Sequence, residues 1–184
     1  MKAVMISIQP KWVEKIASEQ KTIEVRKTRP KMDTPFECYI YCTKSKNESL
    51  TIRTGIEEIG NPAYTLNGKV IGEFVCDNVY PIKNQYSGFV VANATQGETN
   101  EIARQSCLDY DDMVSYFGNK DGYGWHISGL VIYEQPKEVS EFIRPCDRFL
   151  DCITCKRLVR NDYLSCDNKI IRPPMSWCYV EEKE

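Results

Sequence analysis

Apolar residues in this chain recur mostly at period two, in short runs, and only two stretches follow a helical period. That pattern excludes a doubly wound parallel sheet, which needs strands and helices in regular alternation, and points to a β-rich fold with a helix or two packed against it. Val4, Ile6 and Ile8 alternate with Met5, Ser7 and Gln9 and predict a first strand. Pro10 suits a first helical turn, because its missing N–H has no intrahelical partner to lose there. Trp12, Val13, Ile16 and Ala17 then share one face, so a helix is expected from Pro10 to about Gln20.

Residues 22–26, 36–42 and 70–80 read as further strands, residues 44–67 as a long surface excursion, and residues 92–106 as a polar connection. Leu108, Met113, Val114, Tyr116 and Phe117 predict a second helix that ends at Gly118. Strands over 122–133 and 175–180 complete the series. The expected class is α+β: a small, mostly antiparallel β-barrel with one or two flanking helices, one domain over 1–184, with a Cys-rich insertion at 135–174 before the closing strand.

Composition narrows the function classes. Hydrophobic residues at 42% and charged residues at 27% are those of a folded globular chain, not of a disordered or fibrous one. No run approaches the ~20 apolar residues of a membrane span, and nine Cys is an odd count that no complete disulfide framework uses. A cytoplasmic protein with no membrane association is expected. The net charge of −2 argues against indiscriminate coating of nucleic acid, yet residues 21–53 carry eight Lys and Arg against four acidic residues, enough for a local anion-binding face.

The most informative stretch is Lys21-Thr-Ile-Glu-Val-Arg26, directly after the first helix. As a strand it sends Thr22, Glu24 and Arg26 to one face and Ile23 and Val25 to the core, with Lys21 at the helix–strand junction. An ammonium, a carboxylate and a guanidinium are thereby brought into one neighbourhood, suited to reading the polar edge of a small ligand. The same alternation also describes a solvated strand face with an exposed ion pair of little worth. Trp12 and Trp125 could stack on an unstacked base or belong to the core, and Trp177 reads as core. His126 is the one histidine, with no nucleophile pattern beside it, and reads as structural.

Together, residues 6–10, the helix carrying Trp12, Lys21 to Arg26, Cys38-Tyr-Ile-Tyr-Cys42, Gly68-Lys-Val-Ile-Gly-Glu73 and Trp125-His-Ile resemble an ASCH domain. The resemblance spans roughly residues 3–142 and the closing strand. It implies a PUA-like barrel with a cleft beside the helix, lined by the Lys, Glu and Arg of the signature. It implies as partner a nucleotide, a modified nucleoside or single-stranded nucleic acid, RNA in preference to DNA, with Trp12, Lys21, Thr22, Glu24, Arg26 and Trp125 as ligand-binding residues.

Some small members of that family are amidohydrolases acting on N-acetylated cytidine through a Lys, a Thr three residues later and a Glu. Lys21 matches the first; position 24 is Glu instead of Thr, and Glu73 is a candidate for the third by its chemistry alone. On that alternative reading Lys21, Glu24 and Glu73 are the catalytic residues. The sequence departs from the family pattern again before Lys21, where Ser18-Glu19-Gln20 replaces the usual Gly, so a non-Gly residue must take the helix-ending conformation or the turn differs.

Within 135–174, Cys152-Ile-Thr-Cys155 has the spacing that lets two thiolates meet one zinc ion, and Cys146 and Cys166 complete a four-thiolate structural site, with Cys178 able to replace either. Free thiols or a Cys152–Cys155 redox pair are the competing readings. Arg144, Arg148, Lys156, Arg157, Arg160, Lys169 and Arg172 punctuate the segment and could contact phosphates, interspersed with acidic residues. Cys38, Cys42 and Cys76 read as small core residues.

Overall fold

A computed structural model of the chain describes residues 2–45, 67–85, 88–145 and 168–182. The chain runs β1 (Ala3–Ile8), α1 (Pro10–Ala17), β2 (Ile23–Arg26), β3 (Phe36–Cys42), β4 (Val70–Cys76), β5 (Val79–Gln85), β6 (Gly88–Val91), α2 (Gln96–Ser106), α3 (Tyr110–Phe117), β7 (Gly122–His126), β8 (Ser128–Lys137), a 3-10 turn (Val139–Glu141), β9 (Phe142–Ile143) and β10 (Trp177–Glu182). None of the helices among the described residues is long and apolar enough to cross a membrane.

The strands form two sheets, in the orders β8-β4-β3-β1-β10-β9 and β2-β7-β5-β6. The expected closed barrel is therefore corrected to two open sheets, while the pairing is mostly antiparallel as expected, with β1–β3 the one parallel pair among the described strands. Its α+β class and flanking helices stand. One cause is the α1 crossover, which returns the chain so that β1 and β3 pair in parallel, Val4 opposite Cys38 and Ile8 opposite Cys42. Another is that the stretches read as single strands over 70–80 and 122–133 each divide, at residues 77–78 and at Ile127, and the two halves go to different sheets.

Three hydrophobic layers result. Val4, Ile6 and Ile8 of β1 pack with Val13 and Ile16 of α1, with Cys38, Ile40 and Cys42, and with Trp125 between the sheets. Ala3 and Met5, on the opposite face of β1, pack with Tyr39, Phe142 and Ile170. The second sheet buries Ile23, Val25 and Ile82 against Ile102, Met113 and Phe117 of α2 and α3. Both faces of the central strand are covered, so all six residues of β1 are buried.

α1 opens on Pro10 as expected and ends at Ala17, earlier than Gln20. Glu19 follows at φ +58°, so a non-Gly residue does hold the left-handed position that stops the helix, at a cost of about 1 kcal/mol. The second predicted helix is α3, ending at Gly118. The polar connection over 92–106 contains a further helix, α2. It is secured by a capping box in which the Thr95 hydroxyl accepts from the Glu98 N–H while the Glu98 carboxylate accepts from the Thr95 N–H.

Candidate functional site

The helix–strand junction builds the site. The Lys21 N–H donates to the Lys15 carbonyl of α1 (2.9 Å), which fixes where the chain leaves the helix. Its side chain turns inward and the ammonium donates to the Ser106 carbonyl at the end of α2 (2.5 Å). Lys21 Nζ lies 3.4 Å from Glu24 Oε2, and Glu24 Oε1 lies 2.9 Å from Arg26 Nη2. That same Nη2 donates to the Ser7 carbonyl of β1 (2.6 Å), and Nη1 reaches the Ser176 hydroxyl (3.5 Å). The triad is no solvated strand face: Lys21, Glu24 and Arg26 are 2%, 6% and 7% exposed.

This triad forms the floor of a cleft of about 570 Å³. One wall is α1, where the half-buried Trp12 ring is surrounded by the ammonium groups of Lys11, Lys15 and Lys21 at 4.5, 5.4 and 5.3 Å from its centroid. The opposite wall is α3, with Asp112, Ser115 and Tyr116, and the segment before β10 adds Met175 and Ser176. Lys27 sits at the mouth, its ammonium 5.1 Å from the Tyr116 ring centroid.

Electrostatics follow from this burial. Desolvation lowers the Lys21 pKa, and the neighbouring Glu24 carboxylate opposes that shift in part. Burial raises the Tyr116 hydroxyl, against the pull of the Arg26 guanidinium and of the Lys27 N–H that donates to it. Arg26 Nε is buried and has no hydrogen-bond partner among the described residues, so the floor keeps one guanidinium N–H free for a ligand.

Of the residues singled out from sequence, Trp12, Lys21, Glu24 and Arg26 converge on the cleft. Thr22 does not. It is half-buried outside the cleft, its carbonyl accepting from Ile127 and its N–H donating to Gln105. Trp125 is fully buried between the sheets, edge-on to Phe36, and its place is the core. Glu73 points to the other face of its sheet, opposite Tyr39 in register, and its carboxylate accepts from the Tyr133 hydroxyl, so it does not join Lys21 and Glu24.

His126 is half-buried at the sheet rim with Nδ1 2.6 Å from Asp77 Oδ1, and Trp177 packs against the core. Cys38, Cys42 and Cys76 are buried as expected, and burial pushes the Cys42 and Cys76 thiols up to about 12. Cys146, Cys152, Cys155 and Cys166 lie outside the described residues. Cys178 is half-buried on β10 with its thiol pKa raised by burial. Among the described residues no group of three or more His, Cys, Asp or Glu is placed to hold a metal ion.

Sequence reasoning missed the α2–α3 contribution: the Ser106 carbonyl, Asp112, Ser115 and Tyr116. The available signal was Thr95-x-x-Glu98, which marks the start of α2 and so of the helical pair that covers β2.

No family model matches the chain, and no curated protein matches it. Solved structures do. The chain is similar to the crystal structure of ASCH from Zymomonas mobilis, at 17% identity and a TM-score of 0.50, over 97% of this chain and 87% of that one. A Tyr-to-Phe variant of the same protein matches at 18% identity and 0.50 over 98% and 91%, and a Ser-to-Ala variant at 17% and 0.50 over 97% and 88%. The fold is that of these ASCH structures, as the Lys21-to-Arg26 resemblance implied.

Proposed function

We propose that the cleft captures a nucleotide, a modified nucleoside or an unstacked base of single-stranded nucleic acid, RNA in preference to DNA. The observation that carries this reading is the buried Lys21–Glu24–Arg26 triad, a rigid set of donors and one acceptor facing an aromatic wall. Arg26 and Lys21 engage oxygens, Glu24 orients them, and Trp12 supplies a stacking face worth ~1–3 kcal/mol per base. Exposed Lys11 and Lys27 at the mouth suit phosphates. Five described cysteines, all unpaired, support a reducing, cytoplasmic location.

Calorimetric titration of the intact chain with a single-stranded RNA decamer and with the four nucleoside monophosphates tests this. Binding that weakens with salt is expected, and Trp12→Ala weakens it by about tenfold to a hundredfold while the circular dichroism spectrum stays native. No binding by any of these probes overturns the reading, and so does affinity unchanged in Trp12→Ala.

A second reading is favoured by the lowered Lys21 pKa: an amine nearer its neutral form is a better base toward water. With Glu73 on the other face, an amidohydrolase here has only Lys21 as base and Arg26 as oxyanion donor. Release of cytidine from N-acetylcytidine, lost in Lys21→Met, would establish it.

The reading extends to one structural zinc ion held by Cys146, Cys152, Cys155 and Cys166, with Cys178 as substitute for the first or last. Supporting it, the Arg144 N–H donates to the Asn168 carbonyl (2.8 Å), so the described chain on either side of that segment meets at one point. Metal analysis of protein purified without added metal is expected to give about one zinc per chain. A content near zero overturns this part.

A further inference from the structure

The floor of the cleft is made of main chain as well as side chains. In an antiparallel ladder, successive residues turn their N–H and C=O alternately to one neighbour and the other. Within the central strand β7, the His126 N–H donates to the Asn78 carbonyl on the β5 side and the Ile127 N–H to the Thr22 carbonyl on the β2 side, both at 2.9 Å. The register sets Glu24 opposite Trp125 and Arg26 opposite Tyr123, so the main-chain groups of Glu24 and Arg26 are the ones bonded to β7.

Those of Ile23 and Val25 therefore turn to the other edge of β2, where no strand pairs among the described residues. The same alternation accounts for the flanking amides: the Lys21 N–H goes to Lys15 and the Lys27 N–H to the Tyr116 hydroxyl. Between them Val25 lines the cleft, although its side chain packs into the layer under α2 and α3. It is thus its backbone that reaches the cleft. By the alternation its N–H and C=O face away from Gly124, its partner in register, no turn or loop backbone bond reaches either among the described residues, and the residue is only 4% exposed. A desolvated donor and acceptor left open at the base of a cleft await a partner. The free Arg26 Nε–H lies one residue along.

We propose that the Val25 N–H and C=O read the amide-like edge of a nucleobase, a ring N–H or amino group donating to the carbonyl while the neighbouring base acceptor takes the N–H. This deepens the proposed function and rests on it. It also sets the direction of entry. A phosphate dianion has no donor to give the Val25 carbonyl and a nucleobase edge has both donor and acceptor; the base goes in first and the phosphate stays at the mouth beside Lys11 and Lys27. Recognition through an edge strand's backbone needs no particular side chain at position 25, which is why nothing in the alternation of residues 21–26 announces it.

The test is amide hydrogen exchange by NMR on the intact 15N-labelled chain, with each of the four nucleoside 5′-monophosphates as probe. In the free protein the Val25 amide is expected to exchange faster than those of Glu24 and Arg26, and the bound nucleotide slows it by about tenfold or more. Methylating the ring nitrogen of that base that carries or accepts the pairing proton weakens binding about tenfold to a hundredfold.

Val25→Pro removes the outward N–H, a change that edge strands tolerate, as well as altering the side chain buried under α2 and α3, and is expected to weaken the nucleotide comparably. The exchange measurement stands even where that variant fails to fold. Nucleotide binding that depends on Trp12 but leaves the Val25 amide unprotected overturns this inference and leaves the proposed function standing. Absence of binding by all four overturns both.

Discussion

Glu24→Gln is expected to lower the stability of this protein by about 3–5 kcal/mol, the cost of removing one partner from a buried ion cluster. Among the described residues the carboxylate is the anion paired with both buried cations, 3.4 Å from Lys21 and 2.9 Å from Arg26. Glutamine keeps the volume and leaves both positive charges without compensation, at a cleft floor where they are only 2% and 7% exposed. Lys21→Met acts in the opposite direction electrostatically: it deletes a desolvated charge, and Glu24 retains Arg26. Chemical unfolding monitored by circular dichroism should therefore order the variants with Glu24→Gln far below Lys21→Met.

Lys21→Met also carries a pH signature of definite sign. Burial holds the Lys21 pKa below its ordinary value of 10.5, so between the lowered value and 10.5 the unfolded chain binds a proton that the folded chain does not. Stability from this group rises with pH across that window, is complete above it, and is lost as pH falls to the folded value. The difference in stability between wild type and Lys21→Met should change over that window and be flat below it. A wild-type unfolding midpoint for Glu24→Gln would mean that the three charges are not coupled in the folded protein.

Which residues share a face of β2 was legible, because alternation is a local property of the strand. That both faces are buried was not: a solvated ion pair and a buried one have the same spelling, and the difference lies in α2 and α3, elements distant in sequence. α2 itself is a helix of polar composition, betrayed only by its capping box. The barrel expectation failed for a related reason, since alternation identifies strands but says nothing of their partners; the parallel β1–β3 pair arises from the α1 crossover. Glu73 was placeable in principle. Phe74 and Cys76 are apolar and lie in the layer between the sheets, so parity sends Glu73 outward, away from the cleft. Trp125 lies on the same parity as Tyr123 across the two glycines of Gly122-Tyr-Gly-Trp, and no local pattern distinguishes a Trp that fills the space between sheets from one that faces a ligand.

Those two glycines differ in what they permit, and Gly122 carries the second large effect. A Cβ at Gly122 would stand 1.9 Å from Phe117 Cε1 and 2.3 Å from Cζ, whereas at Gly124 the nearest atom is Ile23 Cγ2 at 3.0 Å. The Phe117 ring cannot swing aside, being 2% exposed and held by Phe89 and Tyr116 with centroids 5.4 and 5.2 Å away. Gly122→Ala must then displace α3 or β7, and overpacking of this severity costs about 3 kcal/mol, a fall in melting temperature of roughly 6–12 °C for a chain of this size.

The displacement is also a functional one. Phe117 follows Tyr116 on α3, and α3 is a wall of the cleft, so the same substitution that strains the layer beneath α3 is expected to shift Tyr116 and Asp112 and to lower affinity for the nucleotide proposed above, at a position outside the cleft. A double-mutant cycle separates this steric account from a general loss of strand stability. Phe117→Leu shortens the ring that the new methyl meets, so Gly122→Ala should cost less in that background than alone, by about 1 kcal/mol or more. Strict additivity would place the damage in β7 and not at the contact with α3.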